Sequence, residues 1–185
     1  MKSIDGLARV LERADAIARR ESVGVAERTP VVDSLLGRQI TTGRKAGLFE
    51  LSPCDWKEGP RLWTGEPIRT KLAAEQVFSQ EAARLLQHLA GTDPSVRRSV
   101  SRTEARLAGT CYAVRHCTIG ECATSFIGYV RFLTSVRGDE VSTDVGWRLQ
   151  TLSQHRLPNG RWERFPFYYT LLVLSELPWP EAEGE

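Results

Sequence analysis

The chain has 185 residues, of which 41% are hydrophobic and 26% charged, and its formal charge at neutral pH is +2. That is the balance of an ordinary globular domain, long enough to bury about 70% of its unfolded surface without disulfides or metals, and it argues against a disordered, collagen-like or membrane-embedded chain. A charge this close to zero demands neither a nucleic-acid nor a membrane-surface partner.

In chain order, Met1 to Arg20 scatters Asp5, Arg9, Glu12, Arg13, Asp15, Arg19 and Arg20 among its apolar residues, which breaks the continuous apolar run of an export signal. Ile4, Leu7, Leu11, Ala14 and Ala18 recur at spacings of three and four behind Ser3, which predicts an amphipathic helix with Ser3 as its N-cap. Val31 to Gln39, after Pro30, reads as a shorter helix. Gly43, Gly47, Pro53, Gly59, Pro60, Gly65 and Pro67 then interrupt all periodicity, so residues 40–68 are expected to form a long loop. Phe49, Trp56 and Trp63 within it must lie against the rest of the domain.

Ala74 to Ala90 sets Phe78, Ala82, Leu85, Leu86 and Leu89 on one stripe ahead of Gly91, the pattern of a helix with a C-terminal glycine. Asp93 and Pro94 open a helix expected to reach about Cys111. Thr118 and Glu121 form a capping-box pattern before Ala123, Phe126, Ile127, Val130 and Leu133. Gly138 and Asp139 mark a turn, Val145, Leu149 and Leu152 another helix, and Pro166 opens a last one through Leu177. That last helix, with Phe167, Tyr168, Tyr169, Leu171, Leu172, Val173 and Leu174, has almost no polar face and is expected to be central.

The sum is an all-α single domain over residues 1–185, with helix hairpins around a buried C-terminal helix in an orthogonal bundle. No stretch reaches the ~18 apolar residues of a membrane span, so no membrane partner and a cytoplasmic location are expected. The four cysteines then read as free thiols or metal ligands rather than a disulfide framework.

An internal repeat runs through this pattern. Val32, Leu35, Leu36 and Gln39 lead to Gly47, Leu48, Phe49 and Glu50, while Val145, Leu149, Leu152 and Gln154 lead to Gly160, Arg161, Trp162 and Glu163. Each copy is helix, glycine turn, aromatic and acid, followed by a helix with Thr70 or Thr170 near its start. Asn159, Gly160, Arg161 and Trp162 with Thr170, Leu171, Leu172 and Leu174 resemble the α/α-toroid repeats of protein prenyltransferases and terpene cyclases, well over about one helix pair and poorly over a second. The resemblance implies helix pairs joined by a glycine-aromatic turn and makes a toroid-like arrangement the alternative to the orthogonal bundle. It carries no chemistry, because the sequence has neither an Asp-x-Asp-Asp nor an Asp-Cys-Thr-Ala-Glu motif, and Cys54-Asp55 reverses the Asp-x-Cys order of a prenyltransferase zinc site.

Three constellations are candidates for function. Cys111, His116, Cys117 and Cys122 lie within twelve residues and offer the thiolate and imidazole ligands that zinc prefers, with distant Cys54 as a further donor. The competing reading, which the capping box favours, makes Cys117 and Cys122 the two halves of a hydrophobic staple around a helix capped by Thr118. Arg98, Arg102 and Arg106, beside Arg97, are spaced by four on one helix and suit phosphates. Without interleaved aromatic rings, nucleic acid is disfavoured as their partner, and a solvated outer face partly neutralised by Glu104 is the alternative.

The third set is Trp56, Trp63, Trp162, Tyr168 and Tyr169 with Glu66, Glu81 and Arg84. Were the long loop folded over the last helix, these residues would line an apolar cavity with a few polar groups; ordinary core packing is the alternative. His88 and His155 fall near helix ends, where they are exposed or capping. A small-molecule module for an apolar ligand is therefore the function expected first. A metal-binding protein or enzyme using the Cys/His set comes next, and a protein or nucleic-acid interaction domain using the arginine stripe last. Zinc at the Cys/His set is the only cofactor the sequence suggests, no Ser-His-Asp order or glycine-rich phosphate loop names a reaction, and homo-oligomerisation is left open.

Overall fold

The helix Lys71–Ala90 runs through the middle of the molecule. In the computed structural model, which describes residues 6–20, 22–138 and 142–177, the other helices are arranged around it. They are α1 (Leu7–Ala18), α2 (Val25–Leu36), α3 (Pro53–Glu58), then α4 itself, α5 (Pro94–Leu107), α6 (Cys111–Val114), α7 (Cys122–Arg137), α8 (Ser142–Ser153) and α9 (Phe167–Glu176). Strands are absent among the described residues; only isolated antiparallel bridges occur. The all-α expectation holds.

The centre of the bundle differs from the one expected. α4 packs against α1, α2, α5 and α7, and even its polar Gln76, Ser79, Gln80, Glu81 and Arg84 are buried. α9 instead lies to one side on α7: it buries Tyr169, Thr170, Val173 and Leu174 but leaves Tyr168 58% and Leu171 43% exposed. A helix can be apolar all round without being surrounded, because roughly half of any protein surface is apolar.

Helix boundaries moved where the chain uses distant groups. α2 begins at Val25 and contains Pro30, on an exposed stretch where the carbonyl that the proline leaves without an amide partner faces water. Gly6 precedes α1 and has no side chain to cap it, so Asp55 of α3 does so, accepting from the amides of Leu7 (2.9 Å) and Ala8 (3.0 Å). The expected Ser3 cap lies outside the described residues. Thr70 caps α4 through the Ala73 amide and Asp93 caps α5 through the Ser95 amide.

The loop expected over residues 40–68 contains α3 and two bridged turns. In one, Gln39 pairs with Phe49: Ile40 N donates to Leu48 O and Glu50 N to Arg38 O. In the repeat copy Arg156 pairs with Trp162, Leu157 N donating to Arg161 O and Glu163 N to His155 O. A copy that the sequence repeat did not reveal pairs Arg61 with Pro67, through Leu62 N to Glu66 O and Ile68 N to Pro60 O. Each has a glycine at positive φ two residues before the bridge, namely Gly47, Gly65 and Gly160, the conformation a side chain would strain. Gly47 is doubly constrained, since a Cβ there would stand 2.5 Å from the Arg102 carbonyl oxygen on α5. Each turn delivers its chain to a helix, α3, α4 or α9.

Candidate metal centre

Cys111, Cys117 and Cys122 are brought together where the chain reverses between α5 and α7. α5 stops at Leu107, short of the expected Cys111, and the Thr110 hydroxyl donates to Leu107 O (2.6 Å). The four-residue α6 is far below the length at which a helix is stable alone, so its position depends on neighbours. Tyr112, only 1% exposed, plugs it into the core, where its hydroxyl accepts from Gln80 Nε2 (3.2 Å). Arg148 of α8 donates to the carbonyls of Tyr112 (3.0 Å) and Ala113 (2.9 Å), a cation where the helix dipole ends negative. The Arg148 guanidinium, its side chain 2% exposed, lies over the rings of Tyr129 (4.9 Å) and Phe126 (5.4 Å).

The reversal itself occurs at His116, a non-glycine residue at φ 49°, after which the Cys117 amide reaches back to Cys111 O (3.4 Å). Gly120, at φ 56°, turns the chain again into α7. The carboxylate of Glu121 accepts from the amides of Arg69 and Thr70 (2.6 Å to the latter), pinning this corner to the start of α4.

The expected capping box therefore does not form. Glu121 spends its side chain on another element, Thr118 pairs its hydroxyl with His155 Nε2 (3.1 Å), and the helix begins at Cys122 with Glu121 in the N-cap position. Cys117 and Cys122 are thus not at staple positions. They sit with Cys111 so that all three sulfurs lie within 4.8 Å of one another, Cys111 and Cys122 3.6 Å apart. Zinc–sulfur bonds of about 2.3 Å in a tetrahedron require sulfurs roughly 3.8 Å apart, so the Cys111–Cys122 pair has the length of one tetrahedral edge, and the Cys117 sulfur lies within 4.8 Å of both.

The electrostatics of the three thiols differ. The amide of Ile119 donates to Cys117, which with its thiol neighbours lowers that pKa despite partial burial. Burial and the two adjacent sulfurs push Cys122 up to about 12. Cys111 is exposed, and the side of the cluster towards solvent is flanked in sequence by Val114 and Ile119, themselves 64% and 74% exposed.

His116 does not join the sulfurs: its ring packs edge-on against Phe126 at 6.1 Å, and burial together with Arg148 depresses its pKa, favouring the neutral imidazole. Cys54, the distant donor considered from sequence, lies in α3 with its sulfur 2.8 Å from Ser52 Oγ and belongs to no thiol cluster.

The residues expected to line one apolar cavity are dispersed. Glu81, Arg84 and Tyr169 do meet, but within the core. Glu81, 1% exposed, accepts from Arg84 Nε (2.7 Å), Arg131 Nη1 (2.8 Å) and the Tyr169 hydroxyl (2.5 Å). Arg84 continues to Asp15 (3.0 Å) and Arg131 to both oxygens of Glu176 (2.6 and 2.7 Å). Burial alone would raise the Glu81 pKa, but the two guanidiniums and the hydroxyl hold it down at about 2, while burial and Glu81 push Tyr169 well up.

Glu66 caps α9 by accepting from the amides of Tyr168 (3.1 Å) and Tyr169 (2.9 Å). Trp162 packs on Phe167 (6.0 Å) beneath Arg156, and Tyr168 faces solvent. Trp56 lies beside Lys71 (5.5 Å) at a recess of about 250 Å³, and Trp63 beside Phe78 (6.2 Å) at another of about 350 Å³.

On α5, Arg98 and Arg102 are exposed and Arg106 is half-buried against Gly47, while Glu104 is engaged by Arg137 and turned to α7 rather than to the stripe. His88 holds the Ala18 carbonyl (3.1 Å) at the end of α1.

Arg131 and Arg148, which build the core network and the thiol corner, escaped the sequence reading, and Glu121 was read only as the acid of a capping box. A lone arginine inside an apolar run such as Phe126–Leu133 was the available signal, since a buried cation requires partners. Comparison with family models, curated proteins and solved structures finds no match to this chain. No helix among the described residues is long and apolar enough to cross a membrane.

Proposed function

We propose that the chain is a helical metal-binding protein in which Cys111, Cys117 and Cys122 hold one thiophilic ion of the zinc class. The observation that carries this reading is the convergence of three sulfurs within 4.8 Å from sequence positions spread over α6, the loop after it and α7. Three protein ligands with a fourth position open to solvent are the donor pattern of zinc sites that accept a further ligand, whereas purely structural sites close the tetrahedron with four. The ion would supply Lewis acidity at that open position. The protein's part is to fix the three sulfurs, through Arg148 on the α6 carbonyls and Glu121 on the start of α4.

Equilibrium dialysis of the reduced protein against zinc, followed by elemental analysis, tests the reading. One zinc per chain is expected for wild type and for Cys54→Ser, and none for Cys122→Ser. Zinc bound equally by the Cys122→Ser protein, or absent from wild type, overturns it.

A second reading has one observation of its own. The recess beside Trp63, lined by Phe78, Leu62 and Pro60 with Glu12 and Arg61, has a volume of about 350 Å³, near the lower end for small-molecule sites. It supports an apolar ligand at Trp63, without the remaining residues of the sequence-based set. Quenching of Trp63 fluorescence by an apolar probe, lost in Trp63→Phe, tests it.

A further inference from the structure

The thiol cluster carries a second chemistry when no ion occupies it. Cys111 is exposed and its sulfur lies 3.6 Å from that of Cys122; a disulfide needs about 2.0 Å, so closing the gap takes about 1.6 Å of movement. Cys111 is the exposed first residue of the four-residue α6, whose following residues are held in place by Tyr112 and Arg148, and an exposed residue at a helix end yields locally at low cost. Cys117 is positioned differently, its sulfur receiving the Ile119 amide. Cys54 sits in α3 against Ser52.

We propose that Cys111 and Cys122 form a thiol–disulfide exchange pair oxidised by small disulfides of the glutathione type, and that this oxidation and metal binding exclude one another. The second half rests on the metal reading above; the first does not. In the first step the Cys111 thiolate attacks one sulfur of the small disulfide, whose S–S bond breaks. One thiol departs carrying the Cys111 proton, and a mixed disulfide remains on Cys111. In the second step Cys122 attacks the Cys111 sulfur, the mixed S–S bond breaks, and the second small thiol leaves with the Cys122 proton. Two protein thiols are oxidised and one small disulfide is reduced to two thiols.

The test incubates reduced, metal-free full-length protein with oxidised glutathione and reads intact mass and an unreduced peptide map, with and without prior zinc loading. Expected are a mass lower by two hydrogens, a link between the Cys111 and Cys122 peptides, and alkylatable Cys54 and Cys117. Cys117→Ser should form the same link although it no longer binds zinc. Cys122→Ser should stop at glutathione on Cys111. Zinc loading should slow the wild-type link about tenfold or more, because coordination occupies the attacking sulfur.

No link, or a link through Cys117 or Cys54, overturns the exchange pair. A link that forms equally fast with zinc present leaves the pair standing and removes the mutual exclusion. Failure of the metal reading alone shows as absent zinc binding with the link intact.

Discussion

Two clusters of ionisable side chains each draw one residue from α7, Arg131 in one and Cys122 in the other, and they are built on opposite principles. Around Glu81 the carboxylate is buried and both oxygens are engaged, by Arg84, Arg131 and Tyr169, while the guanidiniums continue outward to Asp15 and Glu176. Such a network is complete within the chain and has no side left for a ligand. The sulfurs of Cys111, Cys117 and Cys122 have each other, one backbone amide and an open flank. The lesson is that perturbed ionisation alone does not identify a site: Glu81 has the strongly shifted carboxyl and a structural role, whereas the thiols converge within 4.8 Å and leave one member exposed.

The largest break expected in this comparison comes from Glu81→Ala. It leaves Arg131, whose side chain is 2% exposed, with Glu176 alone and Arg84 with Asp15 alone, and removing one partner from a buried charge network costs about 3 to 5 kcal/mol. Urea denaturation should show a loss of that size, approaching the whole stability of a domain of roughly 5 to 15 kcal/mol. Tyr169→Phe removes one hydrogen bond to the same charge and should cost about 1.5 to 3 kcal/mol. Neither change should alter zinc stoichiometry where the protein remains folded.

Acid sharpens the same contrast. Glu81 has a lower pKa folded, at about 2, than its ordinary value of 4.5. Its contribution is therefore fully present above about pH 4.5 and is lost as pH falls towards 2. Denaturation midpoints should drop over this interval, and Glu81→Gln should flatten the drop. Cys122→Ser, by contrast, should cost less than about 2 kcal/mol in the metal-free protein while abolishing metal binding. The smallest effect belongs to Arg98→Ala with Arg102→Ala, exposed residues whose joint loss should move stability by less than about 0.5 kcal/mol per site.

Most of the helices were legible, because α4, α7 and α8 each bury the stripe that their spacing marks and α5 and α9 begin close to the Asp93-Pro94 and Pro166 start signals. Their rank in the fold was not. The apolar sequence of α9 suggested the centre, but two of its large side chains face solvent. α4 holds the centre with Gln80, Glu81 and Arg84, which look like a solvated face until their partners on α1, α7 and α9 are known.

The third bridged turn escaped notice because Arg61 and Pro67 stand where the other copies have Gln39 with Phe49 and Arg156 with Trp162. At the thiol corner the three cysteines are close in sequence, and the local pattern favoured a staple around the following helix. Thr118 and Glu121 satisfy the local capping pattern, and only the folded chain sends one to His155 and the other to the start of α4. The arrangement of the sulfurs is a consequence of those distant hydrogen bonds.

The most direct measurement is the absorption spectrum of the cobalt(II)-loaded protein, titrated to one equivalent. The account predicts thiolate-to-cobalt charge-transfer bands that saturate at one ion per chain, with an intensity that reflects three sulfur ligands, persist in Cys54→Ser and disappear in Cys122→Ser. Cobalt that binds without these bands, or with bands unchanged in Cys122→Ser, would contradict the assignment of Cys111, Cys117 and Cys122 as the metal centre.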